Sequence, residues 1–338
     1  MLMDALRDYF RELTTRLGSG WNRFWFTPAD ALTLSVLRVL TGLVALYLHL
    51  TLFADLVHFF GAGGLLPEAT VRDLIGDRKT YSYLFHFTRP ADLVLVHSIG
   101  AVVLALFTAG VYTRITSVLA LAVMLSTVHR GPMISTEVEP IVTMVMFYLC
   151  LGPSGAYLSV DRLLGRRKLA ARRMLDPGAA DRSPATWSAN LATRLIQVHL
   201  AAIYLFVSLA MLSGITWWDG GAVWWLVART ETRLADLTWL ADHPLVVNAW
   251  THAIVLVEFA FPLLVWNTLA RPLVLGIAAV MWLTLIPITG LTDYCLMMLV
   301  ANLAFVSPAA MHRVADACRG RLAKGSAQPQ TQPAASDA

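Results

Sequence analysis

Charge is scarce in this chain. Of 338 residues only 14% are Asp, Glu, Lys or Arg, and lysine occurs three times, at Lys79, Lys168 and Lys324. A soluble chain of this length could not hide the apolar surface that 57% hydrophobic residues bring. Cysteine is equally sparse. Cys150, Cys295 and Cys318 stand apart, two of them inside apolar runs, with no Cys-x-x-Cys or Cys/His spacing, so neither a disulfide framework nor a zinc site is expected. There is no phosphate loop, no nucleophile elbow and no His-Glu-x-x-His. The small net charge of +4 accompanies no nucleic-acid motif; it reflects arginines that flank helices, and no nucleic-acid partner is expected. Near the start stand Asp4, Arg7, Asp8, Arg11 and Glu12 rather than a short apolar core before a small-residue cleavage site, which argues against a signal peptide.

Long apolar runs take the place of what is missing. A run of about 20 apolar residues crosses a bilayer as a helix. The runs predict an all-α integral membrane protein, a polytopic bundle of about eight transmembrane helices over roughly 31–56, 91–110, 114–130, 138–153, 192–213, 245–267, 272–289 and 291–309. Ahead of them, Leu2, Leu6, Tyr9, Phe10, Leu13, Leu17, Trp21 and Phe24 recur at helical spacing among charges, the pattern of an amphipathic helix lying on the membrane surface. Three parts result: 1–26, an interfacial cytoplasmic helix; 27–310, the transmembrane domain; and 311–338, a disordered cytoplasmic tail rich in Gln, Pro, Ala and Ser beyond Cys318. Two long connections, 57–90 and 214–243, are rich in aromatics, as suits the membrane–water boundary; a third, 154–191, is basic.

Orientation follows from the Lys and Arg count. With the N-terminus inside and eight spans, 18 fall in inner segments and 7 in outer ones. That bias puts both termini in the cytoplasm, a multi-pass arrangement suited to a bacterial inner membrane, with lipids as its surroundings.

Few polar residues lie within the runs, so each can be weighed. Arg38 sits mid-run and needs a polar partner inside the bundle, because a lone charge in hydrocarbon is too costly to keep. A packing salt bridge, a carbonyl cap, snorkelling and contact with an anionic or carbonyl-bearing ligand are the alternatives. Glu258, in Val257-Glu258-Phe259, must be protonated, paired or in a wet cavity; pairing with Arg38 or His199 competes with a proton-transfer role. His199 and Tyr204 lie five residues apart, about 140° around a helix, and so do not form one simple pair. His49, Asp55 and His58 match no established metal spacing, and no metal is expected. Glu137 and Glu139 before Pro140 suit a helix N-terminus or a polar cavity mouth. Trp217 and Trp218, followed by Asp219-Gly220-Gly221, suit an interfacial belt or the wall of a cavity the size of a lipid or quinone.

In order along the chain these residues resemble the HTTM family, the membrane region shared by vitamin K-dependent γ-glutamyl carboxylases and bacterial relatives. The likeness covers residues 27–310. It rests on Thr27-Pro28-Ala29-Asp30 with Leu37-Arg38-Val39-Leu40-Thr41-Gly42, on Gly110-Val111-Tyr112-Thr113-Arg114, on Tyr157-Leu158-Ser159-Val160-Asp161, and on Gln197-Val198-His199 through Tyr204 to Trp217, Trp218 and Gly220. The resemblance implies the fold, and a quinone- or lipid-like small molecule as ligand, with Arg38, His199, Tyr204, Glu258 and Trp218 as candidate contacts. It also implies that a lysine base should stand in the span before the Trp-x-x-Gly exit. Here Ala210 and Met211 occupy that place, and Thr284 stands near the place of a histidine common in the next-to-last span. Only about thirty residues follow the last span, which leaves no room for the carboxylases' luminal domain. The expectation is therefore an HTTM-like membrane protein without carboxylase activity. A non-enzymatic scaffold or partner subunit is the alternative.

Overall fold

A computed structural model describes residues 2–76, 80–165 and 183–325. Much of the basic connection, including Arg166, Arg167, Lys168, Arg172 and Arg173, lies outside the described residues, as do Arg78, Lys79 and the tail beyond Gly325. The described residues are overwhelmingly helical and contain no strand beyond one isolated bridge, Ala29 with Thr186.

The chain opens with α1 (Leu2–Phe26) and enters the bundle with α2 (Leu32–Thr51). Two short helices, α3 (Leu56–Phe60) and α4 (Glu68–Ile75), lead to α5 (Pro90–Ala109), α6 (Thr113–Arg130) and α7 (Val138–Leu151). The second half holds α8 (Trp187–Ser213), the short α9 (Ile215–Trp218) and α10 (Ala222–Val227), then α11 (Pro244–Leu264), α12 (Arg271–Thr289), α13 (Thr292–Asn302) and α14 (Pro308–Gly325). Neighbours in sequence are neighbours in space: α2 packs on α5, α5 on α6, α6 on α7, α7 on α8, α8 on α11, α11 on α12 and α12 on α13. The ring closes because α13 also packs on α2 and α7.

Local chemistry sets the helix ends. Pro90 and Pro244 occupy first turns, where a missing N–H is harmless. Thr186 caps α8 by accepting from the Ala189 amide at 3.2 Å. Glycine 42 lets α2 and α5 approach closely: a Cβ there would lie 3.1 Å from the Cα of Thr108.

Among the described residues, five helices are long and apolar enough to cross a membrane: α2 with its 3-10 extension (Leu32–Ala54), α5, α8, α11 and α12. The expected runs at 114–130, 138–153 and 291–309 are helical too, but they differ from a plain span. Two Arg and five Ser or Thr dilute α6, and α7 is 14 residues long. The run at 291–309 is broken by a 114° bend between Phe305 and Pro308. The surface of the bundle is apolar, with Leu95, Ile99, Val102, Leu256, Leu263, Leu273 and Val280 all exposed. Its interior holds Arg38, His49, His97, Arg130 and Glu258. Apolar outside and selectively polar inside is the arrangement that a hydrocarbon surrounding favours.

The N-terminal end forms the expected helix, and the C-terminal end differs from the sequence expectation. Helix α1 docks only by its last turns, where Asn190 Nδ2 donates to the Phe24 carbonyl at 2.8 Å and Arg194 covers the Phe24 ring; Leu6, Tyr9, Phe10, Leu13, Leu17 and Trp21 remain exposed. Residues 311–325, expected to be disordered, continue α14, since Ala, Met and Arg favour helix. The connection 57–90 is a folded cap with its own small core of Leu56, Phe60, Leu66, Val71, Phe85 and Leu93. Arg130 is 1% exposed, with its guanidinium over the Phe60 and Phe85 rings at 4.6 and 5.3 Å.

Candidate functional site

Three stretches that stand far apart in sequence meet at one end of the bundle. Arg38, fully buried on α2, donates from Nη1 to the Ser154 carbonyl at 3.2 Å and from Nη2 to the Leu158 carbonyl. Both acceptors belong to the turn after α7, where Leu158 adopts φ 49°. Gly110, at φ 75°, ends α5 directly against the guanidinium, and any Cβ there would collide with Arg38 Nη1. Asp161 then joins this corner to α6. It accepts from the Tyr112 and Thr113 amides and from the Thr113 hydroxyl, each at 2.8 Å, and so caps α6 from a distance in sequence. Tyr157 adds a further tie, donating to Asp30 Oδ2 at 2.9 Å, while His312 of α14 meets the same oxygen at 3.2 Å.

This corner has a pH signature. Burial alone pushes the Asp161 carboxyl up, but the Thr113 and Tyr112 donors and the Arg38 charge outweigh it and hold the group below the usual carboxylate range. A carboxylate with a lowered folded value contributes stability above its ordinary value of 3.8, and that contribution is lost as pH falls through the folded value. Asp161→Asn is therefore expected to unfold at a lower temperature than the parent near about pH 7, with the gap closing towards about pH 3. Thermal unfolding in detergent across that range checks this; a gap independent of pH contradicts it.

The second cluster lies inside the bundle, between α8, α11, α12 and α13. Tyr204 is fully buried, and its hydroxyl accepts from Trp282 Nε1 at 2.7 Å and from Asn302 Nδ2 at 2.9 Å. For its own proton the acceptor within reach is Asn302 Oδ1, at a long 3.4 Å. The ring stacks on Phe261 with 3.9 Å between centroids. One turn before Phe261 stands Glu258, 2% exposed and within electrostatic range of Tyr204 and Tyr294. Glu258 forms no hydrogen bond or ion pair with a described residue. The sequence alternatives of pairing with Arg38 or His199 are not what the fold uses.

The other two candidates lie elsewhere. His199 faces outward on α8, its Nδ1 2.9 Å from the Tyr148 hydroxyl. The offset of about 140° from Tyr204 separates the two onto different faces. Trp218 is 62% exposed and donates to the Leu212 carbonyl. The five candidates thus do not form one site: Tyr204 and Glu258 come together, Arg38 belongs to the other cluster, and His199 and Trp218 lie at the periphery.

No family model, curated protein or solved structure matches this chain.

Sequence reasoning passed over residues that matter in this geometry. Asn302 and Trp282 supply both donors to Tyr204, and an Asn within an apolar run is itself a signal. His97 is another, lying within the α5 run. It stacks on His49 with centroids 3.6 Å apart and planes 16° off parallel. Each ring bonds through Nε2 to the other residue's carbonyl, at 3.0 and 2.8 Å, so each Nε2 carries the proton and each buried Nδ1 is an acceptor with no partner among the described residues. Among the described residues no three His, Cys, Asp or Glu side chains group closely enough to hold a metal ion.

Proposed function

We propose that this chain is a multi-pass membrane protein of about eight spans, HTTM-like in its order of motifs, with both termini in the cytoplasm. In this reading α6, α7 and the bent α13–α14 pair complete the crossings that the five long helices begin. Short or kinked helices cross where neighbours cover their polar groups. The exposed apolar face of α1 lies along the cytoplasmic leaflet.

We further propose that the bundle interior binds a quinone- or lipid-like molecule beside Tyr204 and Glu258. Glu258 carries this reading. A carboxyl within an apolar bundle, with no hydrogen-bond or ion-pair partner among the described residues, is costly to keep for packing alone, and an intramembrane ionisable group of that kind points to a ligand or a proton path. Tyr204 adds a poorly used hydroxyl proton at the same place, suited to a carbonyl oxygen. Arg38 favours the second reading, a non-enzymatic scaffold or partner subunit, because its contacts are backbone carbonyls that fasten one segment to another.

Mass spectrometry of quinones and lipids that co-purify in mild detergent separates the two. Ligand binding predicts one species near one-to-one with the protein, depleted by about tenfold in Glu258→Gln or Tyr204→Phe. Bulk lipid in the same proportions for all three proteins would leave the scaffold reading.

A further inference from the structure

A polar pair stands on the outer face of the bundle, where α8 crosses the membrane on the reading above. His199 lies about two turns past Ala192, where the apolar run of α8 begins, and so about 10 Å into the span. It is exposed, and Tyr148 of α7 is half-buried beside it. Their rings meet edge to face with centroids 5.9 Å apart, and His199 Nδ1 is 2.9 Å from the Tyr148 hydroxyl. Phe147, Leu151, Val198, Phe206 and Leu209 are exposed around them. Lipid chains suit those apolar neighbours and satisfy neither polar residue.

Polar residues within membrane spans almost always face a bundle interior, because hydrocarbon offers them no partner. An imidazole is too short to reach the boundary as Lys and Arg do. His199 at this depth therefore calls for a cover that can hydrogen-bond.

The count of protons says what kind. Each neutral side chain brings one polar proton, and one hydrogen bond joins the two. If Tyr148 donates to Nδ1, the Nε2–H of His199 is left as a donor and the Tyr148 oxygen keeps a lone pair. If Nδ1–H donates to Tyr148, the hydroxyl proton is left and Nε2 is the acceptor. Either tautomer leaves one donor and one acceptor, one on each residue. Neither residue makes another side-chain hydrogen bond with a described residue. A surface with one of each is complementary to itself. A two-fold axis along the membrane normal brings Tyr148 of one copy to the depth of His199 of the other, and it makes every contact twice. Ala202, one turn on from His199, is small enough to let two helices approach.

We propose that the α7–α8 face is the interface of a homodimer, joined by reciprocal hydrogen bonds between His199 Nε2 of one copy and the Tyr148 hydroxyl of the other. The proposal rests on α8 lying in the membrane and not on a ligand beside Tyr204.

The test is energy transfer between donor- and acceptor-labelled full chains in phosphatidylcholine liposomes, followed as the protein-to-lipid ratio is varied. Transfer should rise to the plateau of a dimer. His199→Leu and Tyr148→Phe should each weaken association by about tenfold, since each removes both bonds. The deciding measurement mixes the two variants. Tyr148 of the first can still meet His199 of the second, so the mixed pair keeps one bond of two and should associate about threefold more tightly than either variant alone. A pair that only stabilises its own chain predicts no such recovery. Ile99→Ala, on the exposed face of α5, should match the parent. Absence of concentration-dependent transfer, either variant as tight as the parent, or a mixture no tighter than its components would each overturn the proposal. So would a monomer that carries a quinone lost in His199→Leu, which would mark the face as covered by a small molecule. A chain that does not float with the liposomes would overturn the membrane reading and the dimer with it, whereas one that floats but stays monomeric overturns the dimer alone.

Discussion

Arg38→Leu is expected to destabilise the folded protein by about 3 kcal/mol, the range for breaking a buried charged interaction by removing one partner. Two effects compete. Leucine spares the desolvation of a guanidinium, and apolar replacement of a buried charge is sometimes neutral. Here the partners remain behind. The carbonyls of Ser154 and Leu158 lose their donors inside the protein, and each orphaned group costs about 1–3 kcal/mol. Asp161 loses a cation that favours its charged form. Leu158, moreover, holds a left-handed φ of 49°, a conformation that persists in a branched side chain only where the surroundings enforce it. The unfavourable side wins because the turn at 152–159 is held by side chains rather than by a helical ladder. Arg38→Lys should recover only part of the loss, since an ammonium does not present the planar fork that reaches both carbonyls. Adding Leu158→Gly to Arg38→Leu should also restore part, by removing the strain that the arginine opposes. Thermal unfolding of the purified variants measures all three. An unchanged midpoint for Arg38→Leu would show that the guanidinium contributes nothing to the turn.

Much of this fold is legible from apolar periodicity, for a physical reason. Helices surrounded by hydrocarbon must satisfy their own backbone and present apolar side chains, so span and sequence run coincide at α2, α5, α8, α11 and α12. The sequence reads the runs at 114–130, 138–153 and 291–309 as crossings too; the structure makes them helical, but Thr113, Arg114, Thr116 and Ser117 dilute the start of α6, α7 is 14 residues long, and Pro308 follows the bend after Phe305. The Arg38 corner is half-legible. Mid-run charge foretells a buried partner, yet nothing in sequence tells that the partner is a pair of carbonyls 116 and 120 residues away. Tertiary closure decides that, as it decides the outward face of His199 and the isolation of Glu258. The His49–His97 pair is hidden for the same reason: two histidines 48 residues apart become one unit only when α2 and α5 pack.

Vitamin K-dependent glutamate carboxylation is expected to be absent. On the HTTM-like reading, the initiating step is removal of the hydroquinone proton by a lysine in the span before the Trp-x-x-Gly exit. That span is α8, and it offers Ala210 and Met211 there. Neither side chain can accept a proton, and positioned proton transfer is worth roughly 10²–10⁴-fold even when other catalytic contributions remain. Substitution by neighbours is geometrically unfavourable. Ala210 lies on the exposed face of α8, Glu258 is enclosed on α11 near Tyr204, and His199 is engaged with Tyr148 three turns earlier on the helix. A proton acceptor must reach the proton before its basicity matters, and none of these reaches the position that Ala210 and Met211 occupy. Purified protein incubated with vitamin K hydroquinone, labelled bicarbonate, oxygen and glutamate peptides should incorporate no label above a heat-killed control. Incorporation that is lost in Glu258→Gln or His199→Ala would show that one of these groups has taken over the base role, and that the loss of the lysine does not silence the fold.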